Sequence, residues 1–129
     1  PKDTLIDGMS VLTFAISRPP KSIQQMIDDY NIDVNTDIDY FLIHQANKLI
    51  VDRVVKKLKL PTEKVPYDLE EFGNLGGASI PSLMVTRIAE PMRNNQPIKM
   101  LCSSFGLGLS WGTMLITANN VIIPELIEI

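Results

Sequence analysis

Ile38-Asp39-Tyr40-Phe41-Leu42-Ile43-His44-Gln45-Ala46-Asn47 is the stretch whose reading decides the fold. Ile38 to Ile43 is short, β-prone and nearly all apolar apart from Asp39, the pattern of an interior strand covered on both faces. Directly behind it Ala46, Leu49, Ile50, Val54, Val55 and Leu58 recur at helical spacing. Lys48, Asp52, Arg53, Lys56, Lys57 and Lys59 fall on the other side, and Pro61 follows. Cations gather in the last turn, where the helix macrodipole favours them. The stretch therefore encodes a strand, a tight turn and an amphipathic helix. Ligand sites in α/β sheets lie beyond the carboxyl ends of strands, and the chain's only histidine, His44, stands there.

Working outward, residues 1 to 8 read as irregular, and Met9 to Arg18 fits a strand or a helix equally by its apolar run. From Pro20 onward Ile23, Met26, Ile27 and Tyr30 share one face of a helix, with Pro20 in its first turn and the polar run Asn31 to Asp37 ending it. Thr62 to Glu71 is a connector with a short strand at Val65 to Tyr67. Ser79 is placed as an N-cap, with Pro81 in the first turn. Leu83, Met84, Ile88 and Ala89 form the apolar face, and Pro91 is the stop. Met92 to Pro97 is a loop. Ile98 to Ser103 and Trp111 to Thr117 are strands joined by a glycine turn, and Asn119-Asn120 separates a short tail. The order helix, strand, helix, helix, strand, strand indicates α/β architecture, a mixed sheet covered by helices. One domain is expected over 1–129, with a core at 8–118 and a tail at 119–129.

Composition narrows the function classes. A length of 129 residues, 45% hydrophobic and 21% charged, suits one globular domain. A net charge of −3 without a basic stripe argues against nucleic acid. Apolar runs such as Val121-Ile122-Ile123 fall far short of the ~20 residues that span a bilayer, so no membrane partner is expected. One cysteine makes no internal disulfide, and one cysteine with one histidine makes no structural zinc site; the count fits a reducing cytoplasm. Pro1 stands where an initiator Met would, so the chain is read as cut from a longer one.

Three segments carry candidate chemistry. A helix N-terminus behind His44 should depress its pKa and keep the ring neutral, able to donate one hydrogen bond without a counterion; the plainer alternative is a local turn cap. Asn74, within Phe72-Gly73-Asn74-Leu75-Gly76-Gly77-Ala78-Ser79, is either a left-handed turn residue or a carboxamide donor aimed at the same oxygen as His44. Gly106-Leu107-Gly108, within Phe105-Gly106-Leu107-Gly108-Leu109-Ser110-Trp111-Gly112, is either a hairpin turn or a source of backbone N–H groups, chiefly that of Leu107, for an oxyanion. It is no dinucleotide fingerprint, since a strand follows it. Cys102 lies in the apolar run Ile98 to Cys102 and reads as a core thiol of raised pKa, not a nucleophile. Ser103 and Ser104 lack a G-x-S-x-G elbow. Lys48, Lys56 and Lys59 form a solvated basic face that could also dock an acidic partner.

The motifs His44-Gln45-Ala46-Asn47, Gly73-Asn74 through Pro81, and Phe105-Gly106 through Gly112 jointly resemble the C-terminal half of β-ketoacyl-acyl carrier protein synthase III, a thiolase-fold condensing enzyme. The similarity runs from about Asp7 to Thr117. It implies a thiolase-like half and an acyltransferase of fatty acid biosynthesis. In that reaction an acyl group passes from coenzyme A to a cysteine, and malonyl-acyl carrier protein then loses CO₂ and attacks it. His44 and Asn74 would be the histidine and asparagine of the family's catalytic triad, whose cysteine belongs to the N-terminal half, absent here. Leu107, with Gly106 and Gly108 flanking it, would supply an oxyanion N–H, Phe105 and Asn47 would line the substrate pocket, and Lys48 and Lys56 would meet the carrier protein. The resemblance also implies no cofactor, coenzyme A and phosphopantetheine thioesters as substrates, and a homodimer in the full-length form. The chain's own N-terminal domain would cover an apolar face left open here. A non-catalytic thiolase-like subunit or binding module is the alternative. Departures mark a divergent member: Leu49 stands where an arginine is common, Leu75-Gly76-Gly77 replaces a Thr-Ser-Ala type run, and Leu107 and Leu109 replace a glycine and an aromatic.

Overall fold

The computed structural model describes residues 7–94, 96–106 and 108–127. Its first helix, α1 (Gly8–Ala15), resolves the ambiguous run after Asp7 and starts earlier than the irregular segment expected. Asp7 is the reason: its carboxylate accepts the Met9 N–H at 3.1 Å and the Ser10 hydroxyl, capping the helix. The Ser10 hydroxyl, followed by backbone N–H groups, holds that exposed carboxyl below its ordinary pKa. In α2 (Arg18–Asp29) the prolines sit in the first turn, where their missing N–H groups cost nothing. Ile23 is buried from this helix, with Met26 and Ile27 packed beside it. Tyr30, expected on the same face, is the C-cap and 68% exposed, because the helix ends before it.

Strand β1 (Tyr40–Ile43) pairs in parallel with β2 (Ile98–Gly106), which pairs antiparallel with β3 (Ser110–Ala118), giving the order β1-β2-β3. Both faces of β1 are buried, as its apolar run requires, although laterally it is an edge strand among the described residues. Phe41 and Ile43 pack with Ile23 of α2 and with Val51 and Val54 of α3 (Lys48–Leu58). Leu42 packs on the opposite face with Leu83 of α5 (Ser79–Thr86) and Met92 of α6 (Ala89–Arg93). Each fully buried side chain of this kind contributes ~1.5–3 kcal/mol of hydrophobic stabilisation. The mixed sheet thus carries helices on both faces.

Several local expectations are corrected. Leu49, assigned to the buried face of α3, is 51% exposed, since the buried stripe runs through Ile50, Val51, Val54 and Val55. No strand forms at Val65 to Tyr67: a 3₁₀ turn (Thr62–Lys64) precedes, and Pro66 has no N–H for a ladder. A short α4 (Leu69–Phe72) follows. Ser79 does not cap α5, because a 3₁₀ turn (Gly76–Ala78) leads straight into it and leaves Ser79 with helical φ and ψ. Pro91 does not stop one long helix. A continuous helix would set its ring against the carbonyl four residues back, so α5 ends at Thr86 and Pro91 occupies the first turn of α6. Consequently Met92 is helical and buried, where a loop was expected.

Candidate active site

His44 continues the β1 ladder by one bond, its N–H donating to the Ser103 carbonyl at 2.9 Å. This fixes the backbone just past the strand's carboxyl end. Its side chain stands edge-on to Phe105 of β2, with ring centroids 4.9 Å apart and planes at 83°. Burial lowers its pKa below the ordinary 6.5, so the ring is neutral at pH 7. The neutral ring was anticipated, but from a different cause. The helix behind it begins only at Lys48 and is capped by Asn47, and desolvation lowers the pKa. Nδ1 is buried and has no hydrogen-bond partner among the described residues.

Asn74 occupies the loop between α4 and α5. The positive φ values belong to its neighbours, Gly73 at 65° and Gly76 at 58°, so Asn74 is not the left-handed residue of the turn. Its Oδ1 accepts the Gly76 N–H at 2.9 Å. That bond uses the carbonyl end of the carboxamide and leaves the Nδ2 hydrogens without a partner among the described residues.

His44 and Asn74 line one cavity of about 780 Å³. Phe105 and Gly106 from the end of β2 line it too, as do Phe14 of α1 and Trp111 of β3. Phe14 meets Trp111 edge-on at 5.5 Å and Phe105 at 6.3 Å, and the Arg18 guanidinium lies 6.0 Å from the Trp111 ring centroid. The cavity is an aromatic-walled cleft that His44 and Asn74 both line. Phe14 and Val11 were not anticipated as lining residues; their apolar run carried no period that distinguished a core helix from a pocket wall.

The other nominated residues fall elsewhere. Asn47 is exposed and caps α3, its Oδ1 accepting the Ile50 N–H at 2.9 Å, so it does not line the cavity. Lys48 pairs with Glu70 at 3.4 Å on the surface. Lys56 and Lys59 border a separate groove of about 510 Å³, floored by Val55, Leu60 and Val65. Gly108, at φ 130°, belongs to the turn into β3. Leu107 lies outside the described residues. Cys102 is 2% exposed, and burial pushes its thiol up to about 11, as expected for a core residue. No group of three or more His, Cys, Asp or Glu is placed to hold a metal among the described residues. Among those residues too, no helix is long and apolar enough to cross a membrane.

Residues 28–118 match the model of the 3-oxoacyl-[acyl-carrier-protein] synthase III C-terminal family. The chain belongs to this family. The β-ketoacyl-[acyl-carrier-protein] synthase III of Streptococcus pneumoniae (strain Hungary19A-6) is 42% identical over 115 residues, which is 87% of this chain and 35% of the relative. Among solved structures, the 3-oxoacyl-(acyl-carrier protein) synthase of Burkholderia xenovorans LB400 superposes with a TM-score of 0.87 at 30% identity, over 94% of this chain and 34% of that one. The synthase III of Pseudomonas aeruginosa PAO1 gives a TM-score of 0.79 at 28% identity, over 92% and 37%. The chain therefore spans about a third of the length of these synthases. Their fold is the thiolase-like α/β arrangement read from the sequence, and residues 119–129 continue past the family match.

Proposed function

We propose that this chain is the C-terminal domain of a synthase III-like acyltransferase and supplies the electrophilic half of its active site. The observation that carries this reading is the shared cavity, into which a neutral imidazole and a carboxamide with its carbonyl end already bonded both open. Malonyl decarboxylation leaves an electron pair on carbon that delocalises onto the thioester oxygen, and two neutral donors lower the energy of that enolate as it forms. Neutrality matters, because an imidazolium would favour the ground-state malonyl carboxylate as well, and only differential stabilisation speeds the step. The carbanion then attacks an acyl-enzyme carbonyl, and collapse of the tetrahedral intermediate releases a thiolate.

That thiolate is not Cys102, which is buried on β2 with its proton held tightly. The nucleophile belongs to the remaining two-thirds of the polypeptide, and the chain alone is inactive. Residues 1–129 act as one domain, with 8–118 as its core, paired with an N-terminal half in a homodimeric cytoplasmic enzyme. The Leu107 N–H serves the acyl-enzyme oxyanion together with the cysteine's own N–H, the Gly106 and Gly108 positions admitting the acyl carbonyl. Acyl-coenzyme A and malonyl-acyl carrier protein are the substrates, and no cofactor takes part. Lys48 and Lys56 face the acidic carrier.

The test is malonyl-dependent condensation by the full polypeptide before and after His44→Ala. A loss of ~10²–10³ in turnover is expected. Unchanged turnover rejects the assigned role of His44, whereas a full polypeptide that performs no condensation and carries no cysteine on a strand-to-helix turn in its N-terminal half favours a non-catalytic binding module.

A further inference from the structure

His44 and Asn74 come from segments that share no helix or strand, so their spacing depends on what joins those segments. The joint is Gln45, whose side chain is fully buried. Its Nε2 donates to the carbonyl of Ile43, the last residue of β1, at 2.8 Å, and its Oε1 accepts the Asp68 N–H at 3.4 Å. Asp68, 1% exposed, is the residue from which α4 and then the Asn74 loop depart. Its Oδ2 accepts the Ser82 hydroxyl and lies 3.3 Å from that of Thr86, whose single hydrogen is shared with the Ser82 carbonyl at 2.8 Å. Ser82 and Thr86 belong to α5, the helix into which the same loop returns.

Asp68 thus fastens both ends of the loop that carries Asn74. Its backbone holds the departing end to the residue beside His44, and its carboxyl group holds the returning helix. We propose that Gln45 and Asp68 are positioning residues that set the Asn74 carboxamide against the His44 ring, a role that rests on the function proposed above. Neither lines the cavity, so neither touches substrate. The buried hydrogen bonds of Asp68 hold both ends of the loop in place relative to the residue beside His44, and a pair of donors must keep its geometry to within a few tenths of an ångström to serve one oxygen.

The test reads each substitution at the far group. In the ¹⁵N-labelled chain, Gln45→Met keeps the side-chain length and removes both hydrogen bonds. The Asn74 side-chain amide and Gly76 backbone signals should move, and Gly76 amide exchange should quicken about fivefold, what one hydrogen bond of average net strength is worth. Asp68→Ala should shift the ring signals of His44, unambiguous because it is the only histidine. Asp68→Asn, which keeps an acceptor for Ser82, should restore them. Should Gln45→Met fail to fold, the Asp68→Ala and Asp68→Asn pair, with Ser82→Ala, decides the matter. Lowered melting temperatures with the far-group signals at their wild-type positions would mean that both residues serve stability alone and would overturn the proposal. Loss of the catalytic reading, by contrast, shows in turnover of the full polypeptide and leaves these spectra unchanged.

Discussion

Replacing Asn74 by aspartate separates the chemistry of this residue from its architecture. The Asn74 Oδ1 that accepts the Gly76 N–H at 2.9 Å has an equivalent in aspartate, so Asn74→Asp preserves the turn, whereas Asn74→Ala loses it. One such bond is worth about 1 kcal/mol, or a few degrees in melting temperature for a domain of this size. Stability should therefore fall in the alanine variant and hold in the aspartate variant. Turnover should follow a different order. Both variants lose the Nδ2 donor, at ~2.7–4 kcal/mol in the barrier or ~10²–10³ in rate. The aspartate variant also sets an anion beside the developing enolate. At ~4 Å and an effective dielectric constant of about 20, like charges repel by ~4 kcal/mol, which screening in a cleft open to solvent reduces. Asn74→Asp should be the more stable of the two variants and no faster than Asn74→Ala. The assay is malonyl-dependent condensation by the full polypeptide, with thermal melts alongside. An aspartate variant within about threefold of wild-type turnover would refute the donor role.

Burial lowers the His44 pKa from 6.5, so below about pH 6.5 the unfolded chain binds more protons than the folded one, and stability should decline as the pH falls. Urea titrations across that window should show the slope in the wild type and a shallower one in His44→Phe; equal slopes would contradict the burial argument. Asn47→Ala should cost ~1 kcal/mol by denaturant unfolding through loss of the α3 cap, with little change in condensation rate, since Asn47 does not line the cavity. The isolated chain should self-associate with rising concentration in light scattering, because Trp111, Met114 and Ile122 stand 46%, 58% and 94% exposed; a strictly monomeric chain would count against a covered face.

The strand, turn and helix around His44 were legible because a short apolar run and a helical period meet there, two signals that no other local structure produces together. The β2–β3 hairpin was legible for the same kind of reason, as two apolar runs about a glycine turn. Met9 to Ala15 was not, since seven mostly apolar residues carry no distinguishing period and the deciding interaction is the cap at Asp7. The break between α5 and α6 was misplaced because a proline excludes a helix from the turn before it as well as from its own position. At the site, His44, Asn74, Phe105 and Gly106 were named from motif and chemistry and share the cavity, whereas Asn47 belongs to the helix cap. Gln45 stood in the His44-Gln45-Ala46-Asn47 motif without a legible role and Asp68 left no signal, because a buried amide linking two segments depends on tertiary contact that no local pattern encodes.

The most direct measurement is a crystal structure of the full polypeptide with a β-ketoacyl pantetheine thioester bound. Both His44 Nε2 and Asn74 Nδ2 should lie within about 3.2 Å of the same thioester oxygen. A thioester oxygen held by one of them alone, with the other turned away, would contradict the account.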